Sequence, residues 1–110
     1  MSINEQVEDM KILYVSSEIT PFAKTGGLAD VAQALPNALN ALGHDIRTVM
    51  PKYLSIAEQN LAMQRVGSFT VQMHNGLQGA VLWQAENGSV PTYFIENEAY
   101  FYREGFYGLG

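Results

Sequence analysis

Apolar and polar positions follow three different rhythms along this chain, and each rhythm predicts a different kind of element. Lys11-Ile12-Leu13-Tyr14-Val15-Ser16 is a short apolar run with β-branched and aromatic residues, the pattern of a central parallel strand covered on both faces. Ser17 to Gly27 follows as a loop closed by two glycines. Leu28, Val31, Ala32, Leu35, Leu39 and Leu42 then recur at helical spacing. They predict an amphipathic helix that ends at Gly43 and packs this stripe on a sheet. Pro36 lies inside it and removes one amide donor, so the helix is expected to kink or split near Ala34. Asp45 to Met50 reads as a second strand stopped by Pro51. Strand, crossover helix and strand predict a parallel pair.

The rhythm then changes. Arg65 to His74, with Phe69, Val71 and Met73 on one face, meets Asn75-Gly76; Leu77 to Glu86 meets Asn87-Gly88; Val90 to Ile95 follows. Two Asn-Gly pairs between strand-like runs signal hairpins, because both turn positions favour positive φ. The prediction is a three-stranded antiparallel meander, or a hairpin leading into a return strand. Pro91 has no amide proton, so the last run starts there or is exposed at that point. Met1 to Asp9 is polar and aperiodic and reads as a disordered leader, which leaves residues 10–110 as one α/β domain. Residues 96–110 are aromatic and glycine-rich without a period and read as a loop.

Composition narrows the function. With 47% hydrophobic and 15% charged residues the 110-residue chain is globular. Six basic against eleven acidic residues give a net charge of −5, three of the acids fall in the first nine residues, and no basic run occurs. That balance argues against nucleic acid and anionic membranes as partners. No stretch reaches the about 18 apolar residues of a membrane span, and the acidic start is unlike a secretory signal, so a cytoplasmic protein is expected. The absence of cysteine removes disulfides and thiolate metal sites. His44 and His74 are far apart, with no acidic pair at ligand spacing, so no metal site is expected. Asn87-Gly88-Ser89 matches a glycosylation pattern and is read as a turn.

The chemistry concentrates in Lys24-Thr25-Gly26-Gly27-Leu28-Ala29-Asp30. In an open α/β sheet ligands bind beyond the carboxyl ends of the strands, where a glycine turn lets backbone amides at a helix N-terminus approach phosphate. Lys24 adds a positive charge there. The segment is neither a Walker loop nor a dinucleotide fingerprint. The residues alone leave a second reading open, in which the glycines merely permit a tight turn with close helix packing and Lys24 is solvated. Asp30, in the first helical turn, complements the helix dipole. Glu18, at a strand end, satisfies loop amides. His44, after the helix-ending glycine, is read as a cap on the last carbonyls, and His74 as solvent-facing. The aromatics Tyr93, Phe94, Tyr100, Phe101, Tyr102, Phe106 and Tyr107 are read as core, with sugar stacking as the alternative.

Over a longer stretch, Lys11 to Tyr53 resembles the opening of bacterial glycogen synthases and plant starch synthases. The Lys-x-Gly-Gly-Leu signature is intact, flanked by Ser17-Glu18 and Pro21, Asp30-Val31, Leu35-Pro36, Gly43-His44, and Met50-Pro51 with Tyr53. Val90-Pro91, Tyr93-Phe94-Ile95, Tyr100-Phe101 and Arg103 to Gly108 resemble the family more loosely. The resemblance implies a Rossmann-like parallel sheet with an antiparallel hairpin, forming part of the first of two Rossmann-like domains in a retaining glucosyltransferase. It implies ADP-glucose as donor substrate, an α-1,4-glucan as acceptor, and no cofactor or metal. Lys24, Gly26, Gly27, Asp30 and Tyr107 match donor-binding positions, and no catalytic residue is assigned. By the same resemblance Asp30 could accept a hydrogen bond from a sugar hydroxyl, and Glu18 could meet the acceptor glucan. A sheet truncated to part of that first domain would expose an apolar edge, so self-association or marginal folding is expected. Two other classes stay open: a non-catalytic glucan- or partner-binding module, and a nicotinamide oxidoreductase domain, against which the missing G-x-G-x-x-G argues.

Overall fold

A computed structural model describes residues 9–59, 61–87 and 89–97. All but one residue of the expected leader, and the aromatic segment after residue 97, lie outside them. Strand β1 (Lys11–Val15), helix α1 (Gly27–Ala41) and strand β2 (Asp45–Pro51) form the predicted βαβ unit. The strands are parallel and in register from Lys11 against Asp45 to Val15 against Val49. A short helix α2 (Leu54–Ala57) leads to β3 (Gln64–Met73), β4 (Gly76–Asn87) and β5 (Val90–Glu96). The last three strands are antiparallel neighbours, and β5 also pairs parallel with β2, from Thr48 against Thr92 to Pro51 against Ile95. The result is one five-stranded sheet in the order β1-β2-β5-β4-β3. Meander and return strand, alternatives at the level of sequence, are therefore the same element. Pro91 pairs only with β4, one position before the β2 ladder begins, where its missing amide proton costs that ladder nothing.

The first hairpin turns one residue before its Asn-Gly pair: Met73 faces Gly76, so the loop is His74-Asn75, and the glycine opens β4 with φ of +115°. In the second hairpin Asn87 faces Val90. His74 is exposed, as expected.

Helix α1 differs from its prediction in orientation. It runs unbroken through Pro36, so the expected split does not occur. Its sheet-facing side is made of Ala29, Ala32 and Pro36, all buried, while Leu28, Val31, Leu35 and Leu42 are 44–68% exposed. The apolar arc is wider than one stripe. The small residues win the sheet because they let the helix axis approach it closely, and the large ones are left facing out. The end of α1 is a Schellman closure: Gly43 takes φ +99°, its amide donates to Asn40 and the His44 amide donates to Leu39. The imidazole of His44 does not cap carbonyls. It is buried, and its Nδ1 accepts the Met10 amide proton at 3.1 Å, tying the start of β1 to β2.

β1 is likewise not a covered central strand among the described residues. It lies at the sheet edge, with Leu13 64% and Val15 72% exposed. The core sits under the carboxyl half of the parallel strands, where Met50, Phe94, Ile19, Phe22, Ala23, Ala32, Tyr53, Ile56 and Ala85 form one cluster. Phe22 meets Phe94 edge-on at 5.0 Å. Full burial of side chains such as Phe94 and Met50 contributes roughly 1.5–3 kcal/mol each. Between β2 and β5 the buried, registered pair Thr48 and Thr92 bond to each other through their hydroxyls at 3.0 Å.

Candidate functional site

The loop from β1 to α1 leaves the carboxyl end of its strand and is held in its middle by the core. The Ser16 amide donates to Val49 at 3.1 Å, continuing the sheet one residue past β1. Ile19, Phe22 and Ala23 are buried, and the Ile19 carbonyl accepts from the amides of both Phe22 and Ala23. The Tyr53 hydroxyl donates to the Ser17 carbonyl (2.9 Å) and Gln59 Nε2 to the Phe22 carbonyl (3.0 Å). A bond from the Thr20 amide to the Ala29 carbonyl (3.1 Å) ties the loop to the first turn of α1. The Thr20-Pro21 peptide is cis. With its apolar middle buried, the loop returns Lys24-Thr25-Gly26-Gly27 to the surface.

Gly26 is the N-cap of α1, and no side chain caps that end. The first amides of an α-helix have no intrahelical acceptor, so they remain available there, on the positive end of the helix dipole. Neither Gly26 nor Gly27 has a positive φ, and among the described residues nothing lies within 4 Å of a β-carbon built on either. Among the described residues, then, neither a left-handed turn nor close helix packing calls for glycine at either position.

Lys24 and Asp30 are brought together. Nζ of Lys24 lies 2.8 Å from Oδ2 of Asp30, with both side chains about half exposed. Oδ1 of Asp30 accepts from the Thr20 hydroxyl at 2.9 Å. The Lys24 hydrogen bond, then that of Thr20, hold the Asp30 carboxyl below its ordinary value of 3.8. Asp30 also stands in the first turn of α1, where a negative charge complements the dipole. Glu18 is 1% exposed and satisfies the loop: Oε1 accepts the Thr25 amide proton (3.2 Å) and Oε2 the Thr25 hydroxyl proton (2.6 Å). Tyr107 lies outside the described residues, as do Tyr100, Phe101, Tyr102 and Phe106. Of the aromatics that are described, Phe94 is core and Tyr93 accepts a hydrogen bond from Arg47 at 2.7 Å.

Sequence reasoning missed a second polar cluster at the same edge of the sheet. Lys52 and Glu96, which follow or end β2 and β5, pair at 2.7 Å and are largely buried. The Lys52 ammonium stands 4.8 Å from the centre of the Trp83 ring, whose Nε1 donates to Glu96 at 3.3 Å. The one available signal was that both residues fall at predicted strand ends. Among the described residues no three His, Cys, Asp or Glu side chains are grouped as metal ligands, and no helix is long and apolar enough to cross a membrane.

A parallel α/β unit with an uncapped, glycine-lined helix N-terminus and a lysine at the carboxyl ends of its strands has the arrangement on which open α/β sheets can hold anions such as phosphate. The family described as starch synthase catalytic domain matches residues 11–109, and the chain belongs to that family. It is 50% identical over 100 residues to a glycogen synthase of Syntrophotalea carbinolica, covering 90% of this chain and 21% of that protein. It is 45% identical over 104 residues to a glycogen synthase of Moorella thermoacetica, covering 92% and 20%. The chain thus spans about a fifth of the length of these relatives. The catalytic domain of starch synthase IV from Arabidopsis thaliana, solved bound to ADP and acarbose, shares the fold with a TM-score of 0.77 at 24% identity, over 92% of this chain and 22% of that one.

Proposed function

We propose that this chain is the donor-phosphate-binding portion of a cytoplasmic, ADP-glucose-dependent glycogen synthase that transfers glucose, with retention, to the end of an α-1,4-glucan. The observation that carries the reading is the pair Gly26-Gly27, where side chains are absent although neither backbone angle nor any neighbouring atom among the described residues excludes them. Convergent amides left open at a helix N-terminus, on the positive end of a dipole, select an anion. The names of the relatives, and the ADP in the Arabidopsis structure, support a nucleoside diphosphate as that anion.

In this reading the Gly26 and Gly27 amides and the Lys24 ammonium meet negative charge that grows on the diphosphate as it leaves the glucose, stabilisation of the kind that acts most in the transition state. Asp30 keeps Lys24 at the mouth of the turn. The reaction needs no metal or cofactor bound by these residues. The glucan, and a second Rossmann-like domain that closes over the donor and excludes water, complete the site. The test is a titration of the isotope-labelled chain with ADP. Amide shifts are expected at Gly26, Gly27 and Leu28, with none in the β3–β4 hairpin. Shifts confined to that hairpin, or none at all with millimolar ADP, would remove the assignment.

A further inference from the structure

The least accessible carboxylate near the turn does not face the place where the donor is held. Glu18 is 1% exposed, and both of its oxygens are directed at one residue seven positions later, Thr25. Thr25 is itself exposed and immediately precedes Gly26, the N-cap of α1. The Thr25 hydroxyl proton and amide proton are both taken by Glu18, so the first amide offered outward is that of Gly26. The glycines have the widest backbone freedom of any residue, no side-chain cap, and nothing among the described residues within 4 Å of a β-carbon built on either. What orders their amides is therefore the residue before them, and that residue is held by two hydrogen bonds to a buried carboxylate, the stronger, charge-assisted kind.

We propose that Glu18 is a positioning residue for the donor's diphosphate: by gripping Thr25 with both carboxylate oxygens it orders the Gly26-Gly27 amides before the donor arrives, without touching the donor. The inference rests on the reading of this turn as the donor-phosphate site. Its physical basis is preorganisation, which lowers the ordering cost that binding must otherwise meet. The role is one of shape and not of charge, since a carboxylate beside an anion site opposes the anion. A glutamine there has the same shape, its Oε1 accepting the Thr25 amide proton and its Nε2 donating to the Thr25 hydroxyl.

The experiment measures ADP affinity and amide hydrogen exchange on this chain and on Glu18→Gln, Glu18→Ala, Thr25→Val and Lys24→Ala. Glu18→Gln is expected to bind ADP at least as tightly as the parent. Glu18→Ala and Thr25→Val are expected to lose about tenfold in affinity, with faster exchange at Gly26 and Gly27 and unchanged exchange in β2. Thr25 is exposed, so its variant keeps the test open where Glu18→Ala unfolds. Equal losses in Glu18→Gln and Glu18→Ala would overturn the inference, because charge and not grip would then matter. Parent-like affinity in Thr25→Val and Glu18→Ala alongside a loss in Lys24→Ala would overturn it while leaving the donor site standing. Parent-like affinity in Lys24→Ala as well would overturn both.

Discussion

The ammonium of Lys24 lies 2.8 Å from the carboxylate of Asp30, six residues on and one turn into α1. The cation assigned to the donor's phosphates thus has a partner within the chain, and a phosphate must share or displace it. Because the pair is about half exposed, water screens it and its contribution to stability is small.

Lys24→Ala should therefore leave the melting temperature nearly unchanged while weakening ADP binding about ten- to a hundredfold, the range for a charge-assisted contact to phosphate. Calorimetry on parent and variant checks this. Equal ADP affinities would dissociate Lys24 from the donor.

Asp30 provides a direct report on the pair. Its carboxyl is held below 3.8 first by Lys24 and then by Thr20. A carboxyl depressed in the folded state favours that state above its unfolded value, and the effect is lost as pH falls through the lower folded value. A carbon-detected titration should place the Asp30 midpoint below 3.8 in the parent and move it upward, toward the ordinary value, in Lys24→Ala. A midpoint that does not move in the variant would show that the pair is not formed in solution.

Gly27→Ala separates ligand geometry from fold more cleanly than a bulky replacement. With no positive φ and no atom of the described residues within 4 Å of the new methyl, the variant should fold as well as the parent. It should gain up to about 0.5–1 kcal/mol from the reduced backbone freedom of alanine. ADP binding should nevertheless fall, and Gly27→Val should lower it further. A destabilised Gly27→Ala with normal ADP binding would return the glycine to a structural role.

How much of this was legible in the sequence depends on the range of the physics involved. The βαβ unit rests on local periodicity and on glycine and proline punctuation, and its elements appear where those signals place them. Periodicity located the apolar stripe of α1 but not its partner. A run of leucines marks an apolar face equally well whether the sheet takes Leu28 and Leu35 or, as here, Ala29, Ala32 and Pro36. The grip of Glu18 on Thr25 spans seven residues of irregular loop, a separation with no characteristic period, so only its general form, a carboxylate satisfying loop amides, could be anticipated. The Lys52, Glu96 and Trp83 cluster depends on β5 folding back beside β2, a long-range pairing that no window of residues reveals.

The final prediction follows from the faces that α1 and β1 leave uncovered. Leu28, Val31, Leu35 and Leu42 line one side of the helix, and Leu13 and Val15 project from the edge strand, all of them 44% or more exposed. The matched relatives are about five times longer than this chain. The chain should bury them against copies of itself, both through apolar contact and through the edge of β1, unpaired among the described residues. Sedimentation velocity should show concentration-dependent association at micromolar chain. Two substitutions distinguish the routes: Leu35→Glu weakens association through the helix face, and Val15→Lys weakens association through the strand edge, where a charge blocks further strand pairing. Neither side chain belongs to the buried cluster around Met50 and Phe94, so each variant should keep the parent's fold. A chain that stays monomeric to millimolar concentration would show that these apolar faces are tolerated by solvent and need no partner.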